Sequence, residues 1–403
     1  MTRLFLLASA CLGLSVSSAQ AVDWSVRSTL SETLEINDNR QMRFNPLGMS
    51  YNPSTWLGVD ASALTPTSRL DLNGYLKYRI YAGPGEQGIP DALDRAVSGR
   101  FEKWQKLTSY NVIGSHSEID TSSIQQQETG FATLSGLTIT DQIGGGLRHG
   151  FGPRDAIQWQ TTWTSTTFTQ AGLTPTDNLT SSASWTHNVT PTTILIPSLQ
   201  FQHLNYHNAS QSEVMFWTGR TTLQTQLTKS LRLEADAGVA YVNATSKGLG
   251  IIDITVPTSG SLVGSGLLPI QSVPPSGSAI DWVGSINLIY TLKTAELALS
   301  VYRTIGPTTF GQFLKTEAIS LSANYQINQF SSVSASGTFT HQSGLGIGGS
   351  ADRIIAGIAY NRTLAREWRA QLAYYHNENI TTTGTARSNA LYTTLVRNFT
   401  ILP

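Results

Sequence analysis

From Arg69 to Tyr81 the chain alternates. Leu70, Leu72, Gly74, Leu76, Tyr78 and Ile80 fall on one side, and Asp71, Asn73, Tyr75, Lys77, Arg79 and Tyr81 on the other. A side-chain period of two is the pattern of a strand with one apolar and one wet face. It recurs in Leu231 to Val242, where Leu231, Leu233, Ala235, Ala237, Val239 and Tyr241 oppose Arg232, Glu234 and Asp236. Ala279 to Leu292, Val214 to Leu227 and Ser331 to His341 repeat it.

Connections carry a second regularity. Very short junctions fall near 65–68, 105–106, 150–155, 188–191, 228–230, 293–294, 328–330 and 365–366. Long, polar, Gly-rich connections fall between them, near 37–53, 83–95, 119–130, 169–178, 207–213, 244–278, 305–315, 342–352 and 378–388. The pattern predicts an all-β fold, a single transmembrane antiparallel β-barrel of about 18 strands (16–18), with short periplasmic turns, long extracellular loops and both termini on the short-turn side. A soluble sandwich also alternates, but its strands run to roughly 5–6 residues. Many segments here run to about 11–14, and about 9–11 suffice to cross a bilayer at a tilt. Patterning begins at once, in Trp24, Val26, Leu30, Leu34 and Ile36, which leaves no room for an N-terminal plug domain.

Ahead of the first strand, Arg3 precedes an apolar run from Leu4 to Val16, and Ala19-Gln20-Ala21 follows as a small-residue cleavage box. This predicts an export signal over 1–21 and an outer-membrane barrel over 22–403. A rival lipoprotein box, Ala8-Ser9-Ala10-Cys11, leaves too short an apolar stretch. Pro197 interrupts the strand pattern of 192–206 and predicts a bulge or a register shift there. Trp24, Trp104, Trp185, Tyr325, Phe330 and Trp368 lie near turns or the chain start, where they are expected to form an interfacial girdle.

Composition removes other classes. Lys plus Arg and Asp plus Glu are 26 each in 403 residues, and charged residues are 13%, against ~25% in an ordinary soluble domain. A neutral chain carries no electrostatic footprint for nucleic acid. One cysteine supports neither a disulfide framework nor a multi-cysteine metal site. No zinc-protease, nucleophile-elbow or phosphate-loop motif occurs, so no cofactor, metal site or enzymatic activity is expected. Gly344 to Gly349 matches a dinucleotide-binding spacing, but no helix follows it to hold a pyrophosphate. Of the seven histidines, only His203 and His207 are close, and four strand residues span about 13 Å, too far for one ion.

Two features could carry function. Asp71, Lys77, Arg79, Arg220, Arg232, Glu234 and Asp236 occupy polar faces and are the candidate lumen-lining residues; mixed charges in a lumen set solute selectivity. The segment 244–278 combines many Ile, Leu and Val residues with four prolines. A loop so long and apolar is expected to fold into the mouth as a constriction or to pack on a neighbouring subunit.

The stretch Thr29-Leu30-Ser31-Glu32-Thr33-Leu34-Glu35-Ile36-Asn37-Asp38-Asn39 resembles the opening strand of outer-membrane β-barrel porins tied to exopolysaccharide loci, in which a Ser-Glu-Thr strand enters an acidic, Asn-rich first loop. The resemblance implies a channel in a Gram-negative cell outer membrane, with a polar lumen conducting small solutes or a secreted polymer such as exopolysaccharide. The alternative is a structural or surface-interaction barrel without a conducting pore. Implied partners are the lipid bilayer, the barrel-assembly machinery, and other subunits or export partners. The assembly machinery reads a terminal aromatic in many such barrels; Phe399 fits that role, while the final Pro403 departs from the pattern.

Overall fold

Eighteen strands account for most of the chain. They are β1 Asp23–Asn37, β2 Ser50–Leu64, β3 Ser68–Arg79, β4 Ala92–Gln105, β5 Thr108–Asp120 and β6 Leu137–Gly150. Next come β7 Asp155–Phe168, β8 Thr176–Thr190, β9 Thr193–Tyr206, β10 Glu213–Gln226, β11 Leu231–Thr245 and β12 Gly277–Thr291. The last are β13 Ala295–Pro307, β14 Phe313–Asn328, β15 Ser331–Gly344, β16 Ser350–Thr363, β17 Trp368–Thr381 and β18 Gly384–Leu402. Among the described residues, one α-helix, α1 Thr121–Thr129, lies between β5 and β6, and a short 3-10 turn, Pro84–Glu86, lies between β3 and β4. The structure, a computed structural model, describes residues 22–402 except 87–88, 133, 172, 208–211, 246–276, 308, 310–312 and 345–349. The expected export signal, the Gly344–Gly349 motif after its first residue and nearly all of the 244–278 segment lie outside the described residues.

Each strand pairs antiparallel with its sequence neighbour, and β1 pairs with both β2 and β18, so the sheet closes on itself. The closing seam runs from Asn37↔Ala390 through Glu32↔Leu395 to Val26↔Leu402, with a bulge near Val26. Among the described residues, closure leaves no edge strand. Among the described residues, no helix is long and apolar enough to cross a membrane.

The side-chain period decides the two faces. Leu72, Leu76 and Tyr78 on β3, Ile280, Trp282 and Ile286 on β12, and Ile319, Leu321 and Tyr325 on β14 all point outward and are exposed. Their strand neighbours point inward and are mostly Ser, Thr, Asn, Gln and charged residues. An apolar surface of this extent has to be covered by hydrocarbon. One inner patch is different. Leu204, Val214, Phe216, Ala240, Val242 and Val283, at the loop ends of β9 to β12, form a buried apolar cluster.

Three expectations need correction. The register shift expected near Pro197 falls closer to the turn, between Asn188 and Thr190 opposite Ile194 and Thr193, while Pro197 itself pairs regularly with Thr221. The ladder simply lacks the pairs opposite Trp185 and Thr186, since proline donates no bond there. The long connection near 378–388 is instead a two-residue turn, because the ladder runs on to Thr381↔Gly384 and Glu378 pairs with Arg387 at 3.0 Å. Trp104 is not in the outer girdle. It shares the inward parity of Asp94 and Ser98, and its indole N–H donates to Glu102 at 3.1 Å. Trp24, Trp185, Tyr325 and Phe330 are exposed.

The parity assignment predicts an asymmetry between adjacent residues. Leu321→Arg should destabilise the barrel in lipid vesicles by about 2–4 kcal/mol, whereas Ser322→Arg, facing the lumen, should cost well under half of that. Urea unfolding midpoints of the two variants measure it.

Candidate functional site

The connection between β5 and β6 folds into the barrel. Asp120 caps α1, accepting from the Ser123 backbone N–H at 3.2 Å. Gly130 ends the helix at φ 83°, its N–H donating to Gln126 O at 3.0 Å. Gly130 is required twice over. An L-residue disfavours that φ, and a Cβ there would lie 2.3 Å from the Asn379 side chain.

The far end of α1 reaches strands remote from its own. Glu128 accepts from the backbone N–H of Thr309, 181 residues away, at 3.0 and 3.1 Å, and from the Thr309 hydroxyl. Gln342 Nε2 on β15 donates to Glu128 O at 3.1 Å, and Arg353 Nη1 on β16 donates to Gln127 O at 3.2 Å. In an 18-stranded ring, β5 and β14 lie on opposite walls. A segment rooted between β5 and β6 that bonds to the β13–β14 connection, β15 and β16 therefore crosses the lumen.

A buried polar network roots its near end. Arg40, from the β1–β2 connection, pairs with Glu86 from the β3–β4 connection at 3.3 Å, both almost fully buried. Arg40 Nη2 also donates to the Tyr81 hydroxyl at 3.1 Å and to Ser122 Oγ at 3.2 Å, and its guanidinium lies 4.4 Å from the Tyr81 ring centre. The Tyr81 hydroxyl accepts from Arg79 at 2.9 Å and donates to Asp120 at 2.9 Å. Burial pushes the Tyr81 hydroxyl above its ordinary pKa, so it stays a donor. Arg79 pairs with Asp94, and its Nη1 lies 3.7 Å from Asp120. The Asp120 backbone N–H donates to Asp94 at 2.7 Å. Two guanidinium groups and three carboxylates thus tie three loop-end segments together. Met42, Phe131 and Ala386, with Phe44 against them, add an apolar staple.

The seven sequence candidates separate into two walls. On β3, Asp71 pairs with Arg69 at 2.8 Å, Lys77 lies in register with Asp94, and Arg79 joins the buried network. On β10 and β11, Arg220 lies 3.9 Å from Asp236, and Arg232 lies 3.4 Å from Glu234. The inward positions of β14 and β15, from Thr316 to Gln326 and from Ser332 to Gln342, carry no ionisable side chain. His203 and His207 take separate partners, Glu213 at 3.9 Å and Asp177 at 2.8 Å.

Sequence reasoning missed Arg40, Tyr81, Glu86, Asp120, Glu128 and Arg353. The Asp120…Gly130 cap pair was a readable helix signal. The remaining residues meet across separate loops and strands. Between α1 and the wall of β16 to β18, an open cavity of about 250 Å³ is bordered by Gln126, Gln127, Arg353, Tyr375, Asn377 and Tyr392. Among the described residues, no group of three or more His, Cys, Asp or Glu could hold a metal ion.

No protein-family profile and no curated protein sequence matches the chain. Solved structures do resemble it in fold. OccK2 (OpdF) of Pseudomonas aeruginosa has a TM-score of 0.52 at 9% identity, covering 95% of this chain and 100% of that one. OccK7 (OpdD) of the same organism gives 0.52 at 10%, covering 94% and 100%. OccAB3 of Acinetobacter baumannii gives 0.51 at 9%, covering 94% and 100%.

Two predictions follow from the anchor chemistry. Glu86→Ala strands the Arg40 charge in a buried site, a change that costs about 3–5 kcal/mol. Proteolysis should then cut the loop-end segments while the barrel still migrates as a folded, heat-modifiable species. Burial holds the Glu128 carboxyl above its ordinary value, partly opposed by the hydrogen bonds from Thr309. Its contribution to the anchor is therefore complete below the unfolded pKa and is lost as pH rises through the higher folded one. Protection of α1 amides, corrected for intrinsic exchange, should fall over that interval in the native protein and stay flat in Glu128→Gln.

Proposed function

We propose that the protein is a porin-like channel of the cell outer membrane, passing small polar solutes through a lumen that α1 narrows. The observation that carries this reading is the closed 18-stranded ring, apolar outside and polar inside, crossed from wall to wall by one anchored segment. An apolar exterior with fully paired strands fits a lipid bilayer, and a ring of this size encloses room for water. The likeness to Occ-type porin barrels supports the same reading. The export signal over 1–21 delivers the barrel, over 22–403, to the assembly machinery.

A segment spanning the lumen favours small solutes over a secreted polymer. Asp71, Lys77, Arg79, Arg220, Arg232, Glu234 and Asp236 would act as the charged walls of the path, set against the uncharged inner face of β14 and β15. Separating charge in this way creates a field across the lumen, and such fields discriminate solutes. No cofactor or catalytic group enters this reading.

The test is conductance. Refolded 22–403 in a planar bilayer should give stable stepwise openings. Replacing 123–134 with a short Gly-Ser linker should raise the step size several-fold. An unchanged step size would remove α1 as the constriction. A heat-modifiable barrel that never opens would favour a structural or surface-interaction role.

A further inference from the structure

The turn end of the barrel holds a second feature. Between the β4–β5 and β6–β7 turns lies an open cavity of about 280 Å³, bordered by Trp104, Lys106, Arg148, Arg154 and Asp155. Trp104 and Arg148 have inward parity, opposite Ser109 on β5. Lys106 and Arg154 sit in the two turns. The carboxylates nearby are already engaged. Asp155 takes His187 at 2.8 Å and the Trp185 indole at 3.0 Å, both from β8. Glu102 takes Arg100 at 3.6 Å and the Trp104 indole at 3.1 Å. Among the described residues, Lys106 and Arg148 make no ion pair, and Arg154 acts on Asp155 through charge alone.

Three cations around one cavity outnumber its single bordering carboxylate, Asp155, which His187 and Arg154 already share, so a further anion would relieve their repulsion. The backbone adds a separate observation. Lys106 adopts φ 49° in a two-residue hairpin turn. That conformation favours Gly, Asn or Asp, and a disfavoured backbone conformation that persists points to a role beyond the turn itself.

We propose that this cavity is an oxyanion site at the turn-end mouth, taking a phosphate or carboxylate group between Lys106, Arg148 and Arg154. The guanidinium groups present paired N–H donors and the ammonium a point charge, which together fit a tetrahedral or planar oxyanion. Two sources share this chemistry, a soluble anion in the lumen and the headgroup of an anionic lipid beside the turns. The inward parity of Trp104 and Arg148 assigns the site to the soluble anion.

The experiment uses the full mature barrel in nanodiscs of zwitterionic lipid, with inorganic phosphate as the probe and phosphorus NMR line broadening as the readout. Conduction is not needed, so failure here is distinct from failure of the channel reading. Phosphate should bind the native barrel. The combined variant Lys106→Gln, Arg148→Gln, Arg154→Gln should bind at least tenfold more weakly, since each charge-assisted bond contributes substantially. Lys106→Asn alone should bind phosphate more weakly while raising the unfolding midpoint, because it relieves the turn, so the loss cannot be misfolding. Equal binding by native and combined variant, or none by either, would overturn the site. Displacement of phosphate by phosphatidylglycerol in the nanodisc would overturn the soluble source in favour of the headgroup.

Discussion

Every backbone N–H and C=O that faces hydrocarbon must find a partner within the protein, because water is absent to supply one. Here that constraint is met by the seam between β1 and β18, which turns a meander of hairpins into a ring. Once the ring is closed, the alternation of side chains divides every strand between lipid and lumen. The polar residues of β3, β11 and β15 can face inward only because the ring has an inside.

A closed ring of 18 strands is too wide for its own side chains to fill. The segment containing α1 occupies that space, and the way it is held explains the buried charges at the loop end. Arg40 with Glu86, and Arg79 with Asp94 and Asp120, lie where neither charge has free access to water. Buried pairs of this kind gain little net stability over an apolar substitute, but they tolerate only one geometry. The network therefore contributes register more than stability, tying the β1–β2 connection to the loop ends of β3, β4 and β5. The far anchor is softer. Glu128 holds Thr309 and the main chain near it is held by Gln342 and Arg353, all polar contacts between opposite walls.

Charge is distributed unevenly round the interior. The β3 and β10–β11 walls carry guanidinium and carboxylate groups in close pairs, while β14 and β15 present hydroxyls and amides. At the turn end the balance tips to three cations around one carboxylate. Under the proposed channel reading, a solute would meet a tight polar passage at the loop end of the barrel and a basic mouth at the turn end.

The strand pattern was legible without coordinates because a half-lipid, half-water strand must alternate at every residue, and Arg69–Tyr81 does so visibly. The strand number followed from the rhythm of short and long connections. Where local composition misled, the cause was local too: the Thr-rich polar stretch around 378–388 looks like a loop but continues the ladder to Thr381, and Trp104 looks like a girdle residue but lies one register position inside. What sequence alone could not supply is any contact between segments far apart in the chain. Arg40 meets Glu86 and Ser122, and Glu128 meets Thr309, only after the ring has closed and its loops have folded inward. Alternation is a property of each strand by itself, so the sequence determined the barrel. The crossing of the lumen by α1 depends on which walls stand opposite each other, and only the tertiary structure decided that.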